Sequence, residues 1–129
     1  ILPSACAYDM KGVGIDLVEV ARIQNSMENP RFFTRFFGVE ERALFKGEHA
    51  AERAAADYAA KEAFGKALGI GIRAFALSEV QVLRDNLGAP YFSFSGEAAR
   101  MVKARGLSFF CSLTHTKDYA QAIVIAQEE

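Results

Sequence analysis

The stretch that most limits how this chain can fold runs from His49 to Gly69, HAAERAAADYAAKEAFGKALG, and is dominated by alanine. Alanine gives up no side-chain entropy on entering a helix and lets neighbouring backbones come close, so the run predicts one long helix beginning near His49. Ala60, Phe64 and Leu68 recur at three-to-four-residue spacing and predict a stripe turned toward a core. Glu62 and Lys66 lie four apart on a different face, with Tyr58 one turn earlier. Gly69-Ile70-Gly71 follows a lysine-bearing last turn and ends the helix. Taken alone, a Glu/Lys pair at this spacing is a solvated surface pair worth about 0.3–0.5 kcal/mol. Chemistry needs further groups from elsewhere in the chain.

At 129 residues the chain has room for one domain with a real core. Half of it is apolar and about a quarter charged, as in ordinary globular proteins, and the formal charge is −1, so bulk electrostatics does not point to nucleic acid. No apolar run approaches the length that crosses a bilayer, which predicts no membrane partner. Cys6 and Cys111 are too few for a disulfide framework, and Cys111 sits in an apolar run suited to a buried thiol. These features predict a cytoplasmic protein. Residues 1–9 read as a remnant ahead of a native start at Met10, leaving residues 10–129 as the domain.

Along the chain, GVGIDLV (12–18) reads as a strand whose glycines let something pack against its backbone. Asp16 is the odd residue there. A carboxylate in such a strand is either paired, bound to a cation, or a cap for the following helix. EVARIQNSM (19–27) has helical spacing with Val20 and Ile23 inward and Arg22 outward, and Pro30 breaks it. In RFFTRFF (31–37) the phenylalanines are core anchors, while Arg31 and Arg35 share a helical face that Arg22 can join, a basic, aromatic-edged surface suited to an acidic partner. GVEERALFK (38–46) is a short helix with acids near its start. LSEVQVLR (77–84) and YFSF (91–94) alternate as strands do around the turn residues 85–90 and form a hairpin. A helix follows from Ser95 to about Lys103, ended by Gly106. LSFFCSL (107–113) and YAQAIVIA (119–126) form an antiparallel pair joined through Thr114-His115-Thr116-Lys117-Asp118. Strands and helices do not alternate as in a doubly wound sheet, so the expected class is α+β, a mainly antiparallel sheet packed against one long helix and shorter helices.

Three features converge: an acid in a glycine-flanked strand, a Glu and a Lys on one helix, and the corner Ser112-Leu113-Thr114-His115-Thr116. Two carboxylates from different elements can hold one magnesium ion, which takes few protein ligands and completes its shell with water and phosphate oxygens. A lysine beside it neutralises phosphate, and hydroxyls, amides and a histidine at the corner suit another phosphate. The combination points to a diphosphate-containing ligand.

GVGIDLVEVARI, YAAKEAFGKALGIGI and SLTHTKDYAQA resemble, in order and spacing, the three signatures of the 4′-phosphopantetheinyl transferases of the bacterial holo-[acyl-carrier-protein] synthase type. The most specific is the middle one, an aromatic followed by x-x-K-E-A-x-x-K. The resemblance runs from Met10 to the C-terminus and takes in Gly88-x-Pro90. It implies transfer of the 4′-phosphopantetheine arm of coenzyme A to a serine of apo-acyl carrier protein, a step of fatty acid biosynthesis, with release of adenosine 3′,5′-bisphosphate. It implies Asp16 and Glu62 as magnesium ligands and Lys66 at the coenzyme A phosphates. Ser112, Thr114, His115 and Thr116 fall at the nucleotide end, and Gly69 and Gly71 along the adenine-side wall. Arg22, Arg31 and Arg35 would receive the acidic carrier protein. Glu62, acting through water, is one candidate base. The short members resemble half of a two-lobed transferase, which implies a homotrimer whose sites draw His115 and Glu62 from different protomers.

One position departs from the resemblance. The family often has arginine, toward the nucleotide's 3′-phosphate, where this chain has Asp57. Arg53 and Lys61 lie one turn either side, and a local Arg53–Asp57–Lys61 ladder would let either cation take over. Two other readings stand beside the transferase: a non-catalytic module that binds coenzyme A or a nucleotide, and a structural α+β protein whose acids are surface caps.

Overall fold

The computed structural model describes residues 9–70 and 75–129. In chain order these form β1 (Met10–Glu19), α1 (Val20–Met27), α2 (Pro30–Phe36), α3 (Val39–Leu44), α4 (Ala50–Leu68), β2 (Val80–Arg84), β3 (Pro90–Phe94), α5 (Gly96–Arg105), β4 (Leu107–His115) and β5 (Tyr119–Glu128). The class is α+β, as expected. The strands split into two antiparallel sheets, ordered β1-β5-β4 and β2-β3. Among the described residues no helix is long and apolar enough to cross a membrane.

Helix α4 lies across the inner face of the three-stranded sheet, and small residues on both sides set how close. Ala120, Ala122, Val124 and Ala126 of β5 are buried beneath it, as are Ala59, Ala60, Ala63 and Ala67 of the helix. The contact with β1 is closer still. A Cβ on Gly12 would overlap the Ala67 carbonyl oxygen, and one on Gly14 the Ala63 carbonyl oxygen. Backbone therefore meets backbone, which is what the two glycines of the strand predict. The helix ends at Gly69, whose φ of +71° is the left-handed conformation of a glycine cap.

Sequence periodicity suggests one buried stripe on α4, but Ala54 through Lys61 are buried without a break. Sheet, α1 and hairpin enclose the helix on several sides. Phe64 is its anchor toward the hairpin, with ring centroids 5.4, 5.3 and 4.9 Å from Phe92, Phe94 and Phe109. On another side Phe32 and Phe36 of α2 stand 6.1 and 5.8 Å from Tyr58. The strand expected from Leu77 begins at Val80, because Leu77–Glu79 is a 3₁₀ turn whose Leu77 carbonyl is drawn to Lys61 Nζ.

Among the described residues no layer covers the other face of the three-stranded sheet. Cross-strand register sets Val13 and Phe110 either side of Ile125, and Ile15 and Ser112 either side of Ile123. Val13, Ile15 and Leu17 are 50%, 52% and 59% exposed, and Phe110 59%. A contiguous apolar face of this kind marks a contact surface.

Candidate active site

Strand alternation turns Asp16 to the inner face of β1, toward α4, with its side chain 16% exposed. Lys66 Nζ donates to Asp16 Oδ1 at 3.1 Å and to the Ile15 carbonyl at 2.9 Å. Glu62, half-buried, stands one helical turn before Lys66 on the same face, and Tyr58 one turn earlier again. Burial raises the Tyr58 hydroxyl above its ordinary pKa, and the adjoining Glu62 carboxylate and Asp16 push the same way, while Arg22 of α1 opposes them. Glu62, Arg22 and Asp16 thus all lie near enough to Tyr58 to act on it, and Lys66 bonds Asp16, at the junction of β1, α1 and α4.

The donor set here is two carboxylates from different elements. Among the described residues no group of three or more His, Cys, Asp or Glu is placed to hold a metal ion. A softer metal caged by protein side chains does not match this arrangement. A hard, hydrated cation that takes one or two carboxylates and ligand phosphate oxygens does.

The corner after β4 lies elsewhere. Ser112 and Thr114 point to the outer face of the sheet, opposite Ile123 and Gln121, and so away from Asp16. The Thr116 hydroxyl closes the β4–β5 turn by accepting from the Asp118 and Tyr119 amides at 3.3 and 3.1 Å. His115 lines a cavity of about 420 Å³ together with Leu44, Phe45, Arg53, Asp57, Arg84 and Leu113. At 100° per residue, Asp57 and Glu62 project roughly 140° apart around α4, and Arg53 and Glu62 roughly opposite one another. One chain therefore carries the acid–lysine surface on one flank of α4 and the His115 cavity on the other. Gly69 is exposed at the helix end, and Gly71 lies outside the described residues.

Arg22, Arg31 and Arg35 are all exposed. Asn29 caps α2 by accepting from the Arg31 amide at 3.0 Å, Pro30 occupies its first turn, and the Arg35 guanidinium lies 5.7 Å from the Phe36 ring centroid. Cys111 is half-buried, and burial holds its thiol up at about 11, well above the usual range.

The ladder expected around Asp57 does not form. Arg53 donates to the Lys46 carbonyl at 2.7 Å, and Lys61 is fully buried against Glu41, 2.7 Å away. The cation beside Asp57 is Arg84 of β2, whose Nη2 donates to Asp57 Oδ1 at 2.9 Å. The reason is that α4 is central, so its charged residues face protein where a surface helix would turn them to water. The signal lay in the run itself: Asp57 sits among Ala54, Ala55, Ala56, Ala59 and Ala60, and an acid embedded in alanine faces packed backbone.

Comparison with known proteins bears on the whole chain. The family model of the 4′-phosphopantetheinyl transferase superfamily matches residues 12–124. Among curated relatives, a holo-[acyl-carrier-protein] synthase of Treponema denticola is 41% identical over 119 residues, covering 90% of this chain and 97% of the relative. One of Myxococcus xanthus is 42% identical over 126 residues, covering 93% and 97%. The solved holo-[acyl-carrier-protein] synthase of Neisseria meningitidis superimposes with a TM-score of 0.83 at 30% identity, covering 92% of this chain and 98% of that one. The Bacillus anthracis synthase, solved in complex with CoA (3′,5′-ADP), gives 0.78 at 29% identity, covering 93% and 98%. The chain belongs to the 4′-phosphopantetheinyl transferase superfamily and is an enzyme of its holo-[acyl-carrier-protein] synthase type.

Proposed function

We propose that this protein is a cytoplasmic transferase of fatty acid biosynthesis that moves 4′-phosphopantetheine from coenzyme A to a serine of apo-acyl carrier protein and releases adenosine 3′,5′-bisphosphate. The observation that carries the reading is the acid–lysine surface: Asp16 from a strand, Glu62 and Lys66 from a helix, locked together by a backbone contact that admits no side chain. Phosphoryl-group chemistry asks protein mainly for alignment and charge neutralisation. Asp16 and Glu62 are the residues that would hold magnesium, which when bound supplies charge neutralisation at the diphosphate. Lys66, held by the Ile15 carbonyl and Asp16, adds a fixed positive charge beside them. Tyr58 walls the site with its ring and keeps its proton at neutral pH.

Arg22, Arg31 and Arg35 form the docking surface for the acidic carrier protein, since exposed like charges steer an oppositely charged partner more than they stabilise the fold. The working assembly is a homotrimer. Support comes from the uncovered apolar sheet face, and from the separation of the His115 cavity and the acid–lysine surface on opposite flanks of α4. A neighbouring copy then supplies the nucleotide end, with His115, Thr114, Thr116 and Ser112, to the acid–lysine surface of the first, and Gly69 lies along its wall.

The test is intact-mass spectrometry of an apo-acyl carrier protein incubated with this protein, coenzyme A and magnesium. A gain of one phosphopantetheine unit, lost in Asp16→Ala and in Glu62→Ala while the circular dichroism spectrum stays native, supports the reading. Coenzyme A binding without any mass change favours the non-catalytic module, and full turnover by either variant refutes the metal assignment.

A further inference from the structure

The two acids of the proposed site are not held alike. Asp16 is fixed by Lys66, whose Nζ donates to its Oδ1 and to the Ile15 carbonyl. Glu62 takes neither of those bonds, although it sits one turn before Lys66 on the same helix. A half-buried glutamate turns among many rotamers unless a neighbour holds it. Helical side chains lean toward the N-terminus, so the Glu62 carboxylate reaches back over the turn of Tyr58. The Tyr58 hydroxyl is within hydrogen-bonding reach of it.

Tyr58 is itself well fixed. It is 8% exposed, and its ring lies against Phe32 and Phe36 of α2, whose own centroids are 4.6 Å apart. That packing needs only the ring, and a phenylalanine would satisfy it. The hydroxyl is left over, and it emerges where Glu62, Asp16 and Arg22 come together. Of these three only the carboxylates accept a hydrogen bond, and Glu62 is the one on Tyr58's own helix face. The hydroxyl keeps its proton at neutral pH and so remains a donor.

We propose that Tyr58 is a positioning residue, whose hydroxyl holds the Glu62 carboxylate in the rotamer that faces Asp16. The carboxylate is then aimed before any cation or phosphate arrives, and binding does not have to order it. What the aimed carboxylate does, holding a hydrated divalent cation, rests on the transferase reading. How it is held does not.

Tyr58→Phe tests this, because it removes one oxygen and keeps the ring packing. Without metal, NMR couplings along the Glu62 side chain should report one rotamer in wild type and rotamer averaging in the variant, with the melting temperature nearly unchanged. With coenzyme A present, manganese titrations followed by electron paramagnetic resonance should show roughly 10-fold weaker binding to Tyr58→Phe, the scale of losing a group that orients a metal ligand. The same substitution in a Glu62→Ala background should add less than about twofold, since the carboxylate it orients is gone. An equal loss in both backgrounds marks the hydroxyl as a bystander and overturns the proposal. A single Glu62 rotamer in metal-free Tyr58→Phe overturns it as well, and so does manganese affinity equal to wild type. Wild-type protein that binds no manganese refutes the metal assignment, while the metal-free couplings still decide whether Tyr58 holds Glu62.

Discussion

Lys61 Nζ lies 2.7 Å from Glu41 Oε1, and both side chains are fully buried. The lysine also donates to the Leu77 and Val80 carbonyls at 3.0 and 2.5 Å, while Glu41 accepts from the amides of Gly38 and Val82 at 3.1 and 3.0 Å. Burial still draws the Lys61 ammonium below its ordinary pKa, with Glu41 opposing the shift. The pair ties α3, α4 and the start of β2 into one polar node, with every donor and acceptor matched. Removing one partner leaves the other charged and unpaired in the interior. Lys61→Met should therefore cost about 3–5 kcal/mol in a urea titration, and pairing it with Glu41→Gln should recover part of that loss. A loss below about 1 kcal/mol would show that the node tolerates an unpaired carboxylate.

Gly14→Ala puts a methyl group into the Ala63 carbonyl oxygen. Backbone cannot yield as a side chain does, so the strand must lift off the helix at a cost of about 1–3 kcal/mol or more. Asp16, two residues on, moves with it and loses its bond from Lys66. The melting temperature should fall, and transfer should fall further than the lost stability accounts for. Unchanged transfer in a folded variant would separate this contact from the site.

Asp57 gives stability a pH dependence of definite sign. Its folded pKa, about 7, lies above the ordinary 3.8, so the folded state holds its proton more tightly than the unfolded one. Its contribution is fully present below pH ~4 and is lost as pH rises through about 7. Glu41, Lys61, Arg84 and, from β4, Cys111 are the charged or titratable groups facing it, with Arg53 and His115 across the cavity. Asp57→Asn removes this titration. Melting curves from pH 5 to 8 should show the variant gaining on wild type as pH rises, and a constant difference across that range would contradict the assignment.

The exposed sheet face predicts assembly. Ile123→Glu places a charge at the centre of the Ile15–Ile123–Ser112 row, where register sets the three side by side. Light scattering should find wild type trimeric and the variant monomeric, with transfer lost although Asp16, Glu62 and Lys66 are untouched. Mixing Glu62→Ala with His115→Ala protein should restore transfer that neither has alone, if the two residues act across a protomer boundary. No restoration on mixing would place both in one chain.

Much of this was legible in sequence. The alanine run gave the central helix, the glycines of β1 gave its close approach to the strand, and the Lys66–Glu62 spacing put both residues on the face that Asp16 meets. What pattern reading missed came from the helix being enclosed. Periodicity treats a charged residue as a vote for water, and so reads Asp57 and Lys61 as surface. Their partners, Arg84 and Glu41, are 27 and 20 residues away in sequence, and no local rule pairs them. β2 likewise begins later than alternation predicts, since Lys61 turns the Leu77 carbonyl toward itself.

The two vacant Cβ positions of β1 work as a spacer of zero thickness. With nothing but peptide groups between strand and helix at Gly12 and Gly14, the spacing of the two backbones that carry Asp16 and the Glu62–Lys66 turn is set by van der Waals contact. The elements that carry the proposed site are thus held together by backbone, the part of a protein that varies least.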